Sequence, residues 1–165
     1  MASSADTIRD ARPEDADAFV RAYERAWDAG LSAIAGKRLG ELASTDERTR
    51  SFRAGLEKLS PDARILVAER DGGLVGVATC VREGDGCELR SLYVVPEAWG
   101  SGVARGLLET ALESMRARGA SEAILWVVEG NGRARRFYER EGWAADGATR
   151  VSELGAPEVR YRRTL

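Results

Sequence analysis

A glycine-rich run in the second half of the chain has the composition of a phosphate-binding turn. It reads Val94-Val-Pro-Glu-Ala-Trp-Gly-Ser-Gly-Val-Ala104. The first turn of a helix has unpaired backbone N–H groups and lies at the positive end of the helix dipole. Because glycine lets an anion approach such a backbone closely, the run predicts a cradle for a pyrophosphate. Apolar residues at helical spacing follow it: Val103, Leu107, Leu108, Ala111, Leu112 and Met115.

The run departs from two known phosphate-binding motifs. A dinucleotide fold needs Gly-x-Gly-x-x-Gly, but Arg105 stands at the last position, and roughly 90 residues precede the run where the motif's strand should open the domain. A P-loop needs Gly-Lys followed by Ser or Thr, which the sequence lacks. A tight turn without a ligand remains the alternative, because Gly100-x-Gly102 alone is a weak signal.

A second group of residues follows the next predicted strand, residues 123–128. Asn131 stands where a helix cap is expected, with Gly142 beyond the end of that helix. Ala134 and Tyr138 are four apart and share one helix face, so with Asn131 they can line a groove beside the strand. The alternative for Tyr138 is an aromatic ring that packs on the core with its hydroxyl in water.

The rest of the sequence outlines the elements that must position these two groups. Pro13 is expected to open a helix, residues 44–47 resemble a capping box before a second helix, and residues 30–40 are less regular. Helices are also expected at 103–118 and from Asn131 to about Arg140. Hairpins mixed with strand–helix–strand units predict an α/β layered fold with a partly antiparallel sheet. The expected strands are residues 7–12, 65–70, 74–82, 88–95, 123–128 and 159–165.

Composition narrows the classes of protein to which the chain can belong. The chain has 165 residues, 44% of them hydrophobic, and a net charge of −2, which favours one globular domain (residues 7–165) and no nucleic-acid partner. We expect residues 1–6 to be a disordered lead without signal-peptide features. No apolar run approaches the ~20 residues of a membrane span. There is no histidine, and Cys80 and Cys87 alone cannot hold a metal, so a reduced cytoplasmic protein without a metal is expected.

The two groups together resemble the GNAT superfamily of acyl-CoA-dependent N-acetyltransferases. Either motif alone is suggestive, and their order and spacing make the resemblance specific. It implies a mixed, mostly antiparallel seven-stranded sheet with flanking helices, whose fourth and fifth strands splay apart around the cofactor. The motifs are Val94-x-Pro96-x-x-Trp99-Gly-Ser-Gly102-Val-Ala104 and Asn131-x-x-Ala134-x-x-Phe137-Tyr138-x-x-x-Gly142-Trp143.

The resemblance implies acetyl-CoA as co-substrate and a role for each matching residue. The strand segment Leu92, Tyr93 and Val94 would pair its backbone with the pantetheine arm, as an added strand would. Asn131 would reach the pantetheine amides, with Ala134 in the same groove. The pyrophosphate would lie on the turn residues Trp99, Gly100, Ser101, Gly102, Val103 and Ala104.

The resemblance also implies the catalytic groups. The N–H of Val94 would donate to the thioester oxygen, which gains negative charge when an amine attacks. The hydroxyl of Tyr138 would protonate the departing thiolate. Trp99 departs from the family pattern, which has Gln or Arg there to bind phosphates, and Ala104 replaces a frequent glycine. Arg105 is a candidate for the missing positive charge.

The sequence gives fewer indications of the residues that bind the acceptor amine. Glu88, at the start of the fourth strand, is a candidate general base, with a solvated acid or a partner of Arg90 as the alternative. Strand alternation predicts that Glu88, Arg90, Leu92 and Val94 share one face. Tyr23, Trp27 and Arg90 are candidate acceptor-binding residues, although core packing also accounts for Trp27, and Trp126 is expected in the core.

The sequence therefore predicts an enzyme that transfers an acetyl group from acetyl-CoA to a primary amine by direct attack. A small-molecule acceptor is favoured, because the ribosomal-protein acetyltransferases have a carboxylate on the fifth strand where this chain has Trp126. The alternatives are a protein N-terminus or lysine as acceptor, or a non-catalytic module that binds acyl-CoA. A homodimer is left open.

Overall fold

The computed structural model describes residues 6–165, so the expected lead lies outside it except for Asp6, which is 2.6 Å from Arg70 in an ion pair. Its helices are α1 (Ala16–Ala35), α2 (Thr45–Glu57), α3 (Val103–Ala117) and α4 (Gly132–Arg140). Its strands are β1 (Thr7–Asp10), β2 (Ala63–Arg70), β3 (Gly73–Glu83), β4 (Gly86–Val94), β5 (Glu122–Val128), β6 (Ala144–Val151) and β7 (Pro157–Thr164).

The strands form one sheet of seven in the order β1-β2-β3-β4-β5-β7-β6. The β4–β5 pair is parallel and the other neighbours are antiparallel, which confirms the expected mixed, mostly antiparallel sheet. The two faces of the sheet carry different helices. The larger core cluster packs α3 and α4 on one face, with Leu107, Leu108 and Tyr138 among its buried residues. Phe19 and Val20 of α1 pack on Val67 and Val77 of the other face.

The fourth and fifth strands separate soon after they begin to pair. Their register pairs are Cys87–Ala123, Glu88–Ile124 and Leu89–Leu125, and none follows. On the other edge of β4, the N–H of Val95 donates to the carbonyl of Val75 at 3.0 Å. Because N–H groups alternate in direction along a strand, those of Leu92 and Val94 point into the gap beside β5. The expected splay is therefore confirmed.

A β-bulge in β4 corrects the expectation that Glu88, Arg90, Leu92 and Val94 share one face. Thr79 lies opposite Ser91 and Cys80 opposite Leu89, so Arg90 has no register partner on β3. One extra residue reverses the alternation. Leu89, Leu92 and Val94 all pack in the larger core cluster, on the sheet face that α3 covers. Glu88 directly precedes Leu89 in the strand and therefore lies on the opposite face.

Three elements differ from the sequence expectation. Helix α1 continues through Gly30 to Ala35, into the segment expected to be irregular. Pro13 opens a short 3-10 turn, Pro13–Asp15, before α1 rather than the helix itself. Strand β6 had no sequence signal, because almost all of its residues are exposed and none repeats an apolar alternation.

The helix that carries the glycine turn is fixed by close packing on Gly76. An added Cβ there would lie 2.8 Å from Leu107 Cδ1 and 2.9 Å from Val103 Cγ1. We predict that Gly76→Ala lowers the free energy of unfolding by about 1–3 kcal/mol through overpacking. Gly55→Ala, in α2, is the control and should gain about 0.5–1 kcal/mol, because its added Cβ would meet nothing within 4 Å in residues 6–165 beyond its chain neighbours and the backbone of its own helix. Urea denaturation measures both, and equal stability of Gly76→Ala and the wild type would contradict the packing argument.

Candidate active site

Two adjoining cavities lie along the gap between β4 and β5. The α1 cavity, of about 240 Å³, has Trp27 of α1 and Glu88 of β4 in its lining. The glycine-turn cavity, of about 370 Å³, is lined by the turn before α3 and by one side of α4. Leu92, Ala134 and Tyr138 line both cavities. The two cavities therefore meet at the end of β4 and at the buried face of α4.

Tyr138 occupies this junction. It is 8% exposed, and its ring packs edge-on to Trp143 with centroids 6.1 Å apart. Burial raises the pKa of the Tyr138 hydroxyl well above its usual range, and no charged or hydrogen-bonding neighbour contributes to the shift. The hydroxyl therefore stays protonated throughout the neutral range, on a residue that lines both cavities.

Asn131 sets the start of the helix that carries Tyr138. Its side-chain Oδ1 accepts a hydrogen bond from the N–H of Ala134 at 3.2 Å, which confirms the expected cap. Asn131 lines the α1 cavity rather than the glycine-turn cavity. One lone pair of its side-chain carbonyl is thus used within the protein, and the amide nitrogen donates to no group among residues 6–165.

The glycine turn has the backbone of an anion cradle. Gly100 and Gly102 have φ values of +75° and +92°, which favour glycine, and Gly102 caps α3. The first backbone bond of α3 runs from the Gly106 N–H to the Gly102 carbonyl at 2.9 Å. The N–H groups of residues 103–105 therefore have no partner within the helix.

Two residues of the predicted cradle point their side chains elsewhere. The Val103 side chain is 2% exposed and packs in the core, so only its N–H faces the turn. The Ser101 hydroxyl donates to the carbonyl of Ala98 at 2.7 Å and accepts from Arg70 at 3.0 Å. Both stabilise the turn from within the protein.

Trp99 connects three parts of the site. Its indole N–H donates to the carbonyl of Val94, at the end of β4, at 2.7 Å. The guanidinium carbon of Arg133, in the first turn of α4, lies 3.3 Å from the centroid of its ring. The turn, β4 and α4 are therefore held together at the mouth of the glycine-turn cavity.

Arg105 and Arg133, two arginines that line the glycine-turn cavity, differ in whether carboxylates lie beside them. Nε of Arg105 lies 3.0 Å from Glu109 and 3.6 Å from Glu141. Arg133 lines the same cavity, and partial burial is the one influence on its pKa, which it lowers. Arg105, the candidate from the sequence, thus lies beside two carboxylates, whereas Arg133, which had no signal in the sequence, is paired with no carboxylate of residues 6–165.

The acceptor candidates come together in the α1 cavity. Tyr23, Trp27, Glu88 and Arg90 all line it. The Glu88 side chain is 15% exposed, and its Oε2 lies 3.5 Å from Nε of Arg90, which also pairs with Glu83 at 2.7 Å. Trp27 is 3% exposed and forms the buried wall of the cavity.

Aromatic rings complete the same cavity. Tyr93, predicted to contact the cofactor with its backbone, points its ring to this side, edge-on to Tyr23 with centroids 4.6 Å apart. Burial raises the pKa of both hydroxyls, so both stay protonated at neutral pH. Trp126 also lines the cavity, beneath the guanidinium of Arg150 at 4.3 Å, and is not the core residue expected from the sequence.

Over residues 6–165 the structure contains no group of three acidic, cysteine or histidine side chains arranged to hold a metal. In the same part of the chain, no helix combines the length and apolarity needed to span a membrane.

The sequence matches the acetyltransferase (GNAT) family over residues 18–143. The chain belongs to the GNAT family. An uncharacterized N-acetyltransferase of Mycobacterium tuberculosis is 39% identical over 97 residues, which cover 58% of this chain and 62% of that protein. Another from Archaeoglobus fulgidus is 35% identical over 140 residues, covering 79% of this chain and 88% of that protein. The matched segment therefore spans less of the mycobacterial relative than of the archaeal one.

Solved structures share the GNAT fold over almost the whole chain. The paia N-acetyltransferase of Thermoplasma acidophilum, in complex with coenzyme A, has a TM-score of 0.77 and 20% identity over 98% of this chain and 99% of that one. The ribosomal-protein-alanine N-acetyltransferase of Brucella melitensis has a TM-score of 0.74 and 25% identity over 96% and 99%. At 20% identity, the Thermoplasma structure shows a likeness in fold alone.

The GNAT family implies an acyl-CoA co-substrate, and this site fits one. The N–H groups of Leu92 and Val94 face the gap, as an extended amide-bearing arm requires. The first turn of α3 presents further N–H groups, and Arg133 adds a positive charge beside them. The observed donors are therefore those that a pantetheine arm and phosphates need.

The burial of the Tyr138 hydroxyl predicts a specific titration behaviour. Because burial raises its pKa, this phenol should remain protonated when an ordinary tyrosine ionises near pH ~10. Absorbance of tyrosinate, followed from pH 8 to pH 11 in the wild type and in Tyr138→Phe, should give superimposable curves. A transition near pH 10 that the variant lacks would contradict the effect of burial on this hydroxyl.

Proposed function

We propose that this GNAT protein transfers an acetyl group from acetyl-CoA to the primary amine of a small molecule, by direct attack of the amine. The observation that carries the proposal is the meeting of two cavities at Tyr138, one beside a phosphate-type turn and one beside a carboxylate. An acyl donor in the first and an amine in the second would meet at this junction.

The backbone of β4 would bind the donor in an extended form. The N–H groups of Leu92 and Val94 face the gap, while the Val94 carbonyl is already bonded to Trp99. When bound, acetyl-CoA supplies an activated acyl group as a thioester. The N–H of Val94 would then be a fixed donor to the acyl oxygen, where negative charge develops during attack.

Tyr138 would act as the general acid. Its hydroxyl stays neutral because it is buried, and the residue lines both cavities. A neutral phenol can give its proton to a thiolate that leaves from the same junction. Neither Cys80 nor Cys87 lines the α1 or the glycine-turn cavity, which agrees with direct attack rather than a covalent acyl-cysteine.

The α1 cavity would hold the acceptor, with Glu88 as its base. Its volume of about 240 Å³ suits a small molecule, and Trp27 closes it from α1. Trp126 lies where protein-acetylating relatives are expected to have a carboxylate. The likeness to a ribosomal-protein acetyltransferase supports a protein N-terminus as the second candidate acceptor.

The decisive experiment measures release of free thiol from acetyl-CoA against aminoglycosides, amino acids, polyamines and N-terminal peptides. Turnover with a small amine and not with peptides supports the proposal. Turnover restricted to peptides would establish the second candidate. Binding of acetyl-CoA without turnover across the panel would instead favour a non-catalytic acyl-CoA-binding module.

Tyr138→Phe is predicted to separate binding from chemistry. The ring and its packing are kept, so the affinity for acetyl-CoA should change less than about twofold. Loss of the acid should lower kcat by about 10²- to 10⁴-fold. Calorimetry with CoA and thiol release with the identified acceptor measure the two effects, and an unchanged kcat would disprove the assignment of the acid.

Glu88→Gln is predicted to affect strongly basic amines most. A lysine-like amine, with a pKa near ~10.4, is almost fully protonated at pH 7, whereas an α-amine, near ~7.7–8.0, is partly neutral without help. At pH 7 the variant should therefore lose about tenfold more kcat/KM on the first amine than on the second.

Glu83→Gln is the matched control, because Glu83 is also bonded to Arg90 but lies outside the α1 cavity. It should leave kcat/KM unchanged on both amines. If Glu83→Gln and Glu88→Gln have equal effects, then Glu88 acts through the charge of Arg90 and is not the base.

A further inference from the structure

The exposed mouth of the glycine-turn cavity is built around one stacked pair. Trp99 projects from the turn, its indole N–H bonded to the carbonyl of Val94 at 2.7 Å, and it is 40% exposed. The Arg133 guanidinium lies 3.3 Å from the centre of its ring. Such a contact between a cation and the face of an aromatic ring is attractive, and it restricts the orientation of a long side chain.

Arg133 keeps its hydrogen-bonding capacity in this arrangement. The stack uses the flat face of the guanidinium, while its N–H donors lie in the plane of the group and project from its edge. Among residues 6–165, neither a carboxylate nor a carbonyl is bonded to it, and burial alone acts on its pKa. Arg105, which lines the same cavity, is by contrast bonded to Glu109 and close to Glu141.

We propose that Arg133, held on Trp99, binds a phosphate group of the co-substrate and supplies the cation that the turn itself lacks. The inference rests on the proposed function. The backbone N–H groups at the start of α3 and the Arg133 fork would approach the same phosphate region from two helices. A guanidinium fork matches two phosphate oxygens at once, which a single backbone N–H cannot do.

The role of Arg133 is binding and not chemistry. It lies in the first turn of α4, whereas Tyr138 lies in the next turns of the same helix and faces the buried junction. The charge of Arg133 makes no contribution to the pKa shift of Tyr138. Loss of Arg133 should therefore raise the Kd and KM for the phosphate-bearing co-substrate and leave kcat unchanged at saturation.

Calorimetry of Arg133→Gln with three probes tests the proposal. The probes are CoA, dephospho-CoA, which lacks the 3′-phosphate, and pantetheine, which lacks all phosphates. We expect the Kd for CoA to rise by about 10- to 100-fold and the Kd for pantetheine by less than about twofold. Equal losses for CoA and dephospho-CoA assign the contact to the pyrophosphate, and a loss confined to CoA assigns it to the 3′-phosphate.

Arg136→Gln is the matched control, because Arg136 lies on the same helix and outside both cavities. Arg133→Lys should bind CoA with intermediate affinity, since an ammonium is a point charge without a planar fork. The proposal is overturned if Arg133→Gln weakens CoA no more than Arg136→Gln, or if it weakens pantetheine as much as CoA.

A double-mutant cycle tests whether Trp99 orients Arg133. Trp99→Leu removes the ring, and its effect on CoA affinity should be smaller in the Arg133→Gln background than in the wild type. Additive losses would show that the stack is not part of the phosphate contact. A wild type that binds CoA but acetylates nothing would overturn the proposed activity alone, because the affinity measurements on Arg133 need no turnover.

Discussion

The separation of β4 from β5 is the constraint around which the rest of the site is arranged. Backbone N–H and C=O groups inside a protein need partners, and a sheet normally supplies them. Here β4 continues to Val94 and β5 to Val128, but their pairing stops at Leu89 and Leu125. The polar edge of β4 is therefore directed into the gap between β4 and β5. There the indole N–H of Trp99 donates to the Val94 carbonyl, and the N–H groups of Leu92 and Val94 are left for an extended ligand.

Both helices of the site start where a separated strand ends. Helix α3 follows β4 through the glycine turn, and α4 follows β5 through the cap at Asn131. The splay thus places Arg133, from the first turn of α4, in the same cavity as the N-terminus of α3, and this combination suits an anion. The bulge at Arg90 adds the second constraint, because it turns Glu88 to the α1 face while Leu92 and Val94 stay on the α3 face.

The sequence predicted those parts of the site that depend on local rules. The glycine turn, the Asn131 cap and the position of Tyr138 on the buried face of α4 each follow from spacing within a few residues. The bulge has no such signal, because Arg90 fits an unbroken strand as well as a bulged one. Strand β6 has no signal in the sequence for another reason: almost all of its residues are exposed, so no alternation of apolar and polar residues is needed.

Trp99 shows that a contact with a residue distant in the sequence can change the role inferred for a side chain. From the sequence alone, Trp99 means that a phosphate-binding side chain is missing, because an indole cannot bind phosphate where Gln or Arg is usual. In the structure its ring holds Arg133, a residue of another helix. The same stack keeps the guanidinium at the mouth of the cavity, away from Tyr138, whose pKa is raised by burial alone. A cation beside a phenol would lower that pKa and favour the ionised form. One helix therefore carries both a cation stacked on Trp99 and a buried, neutral phenol.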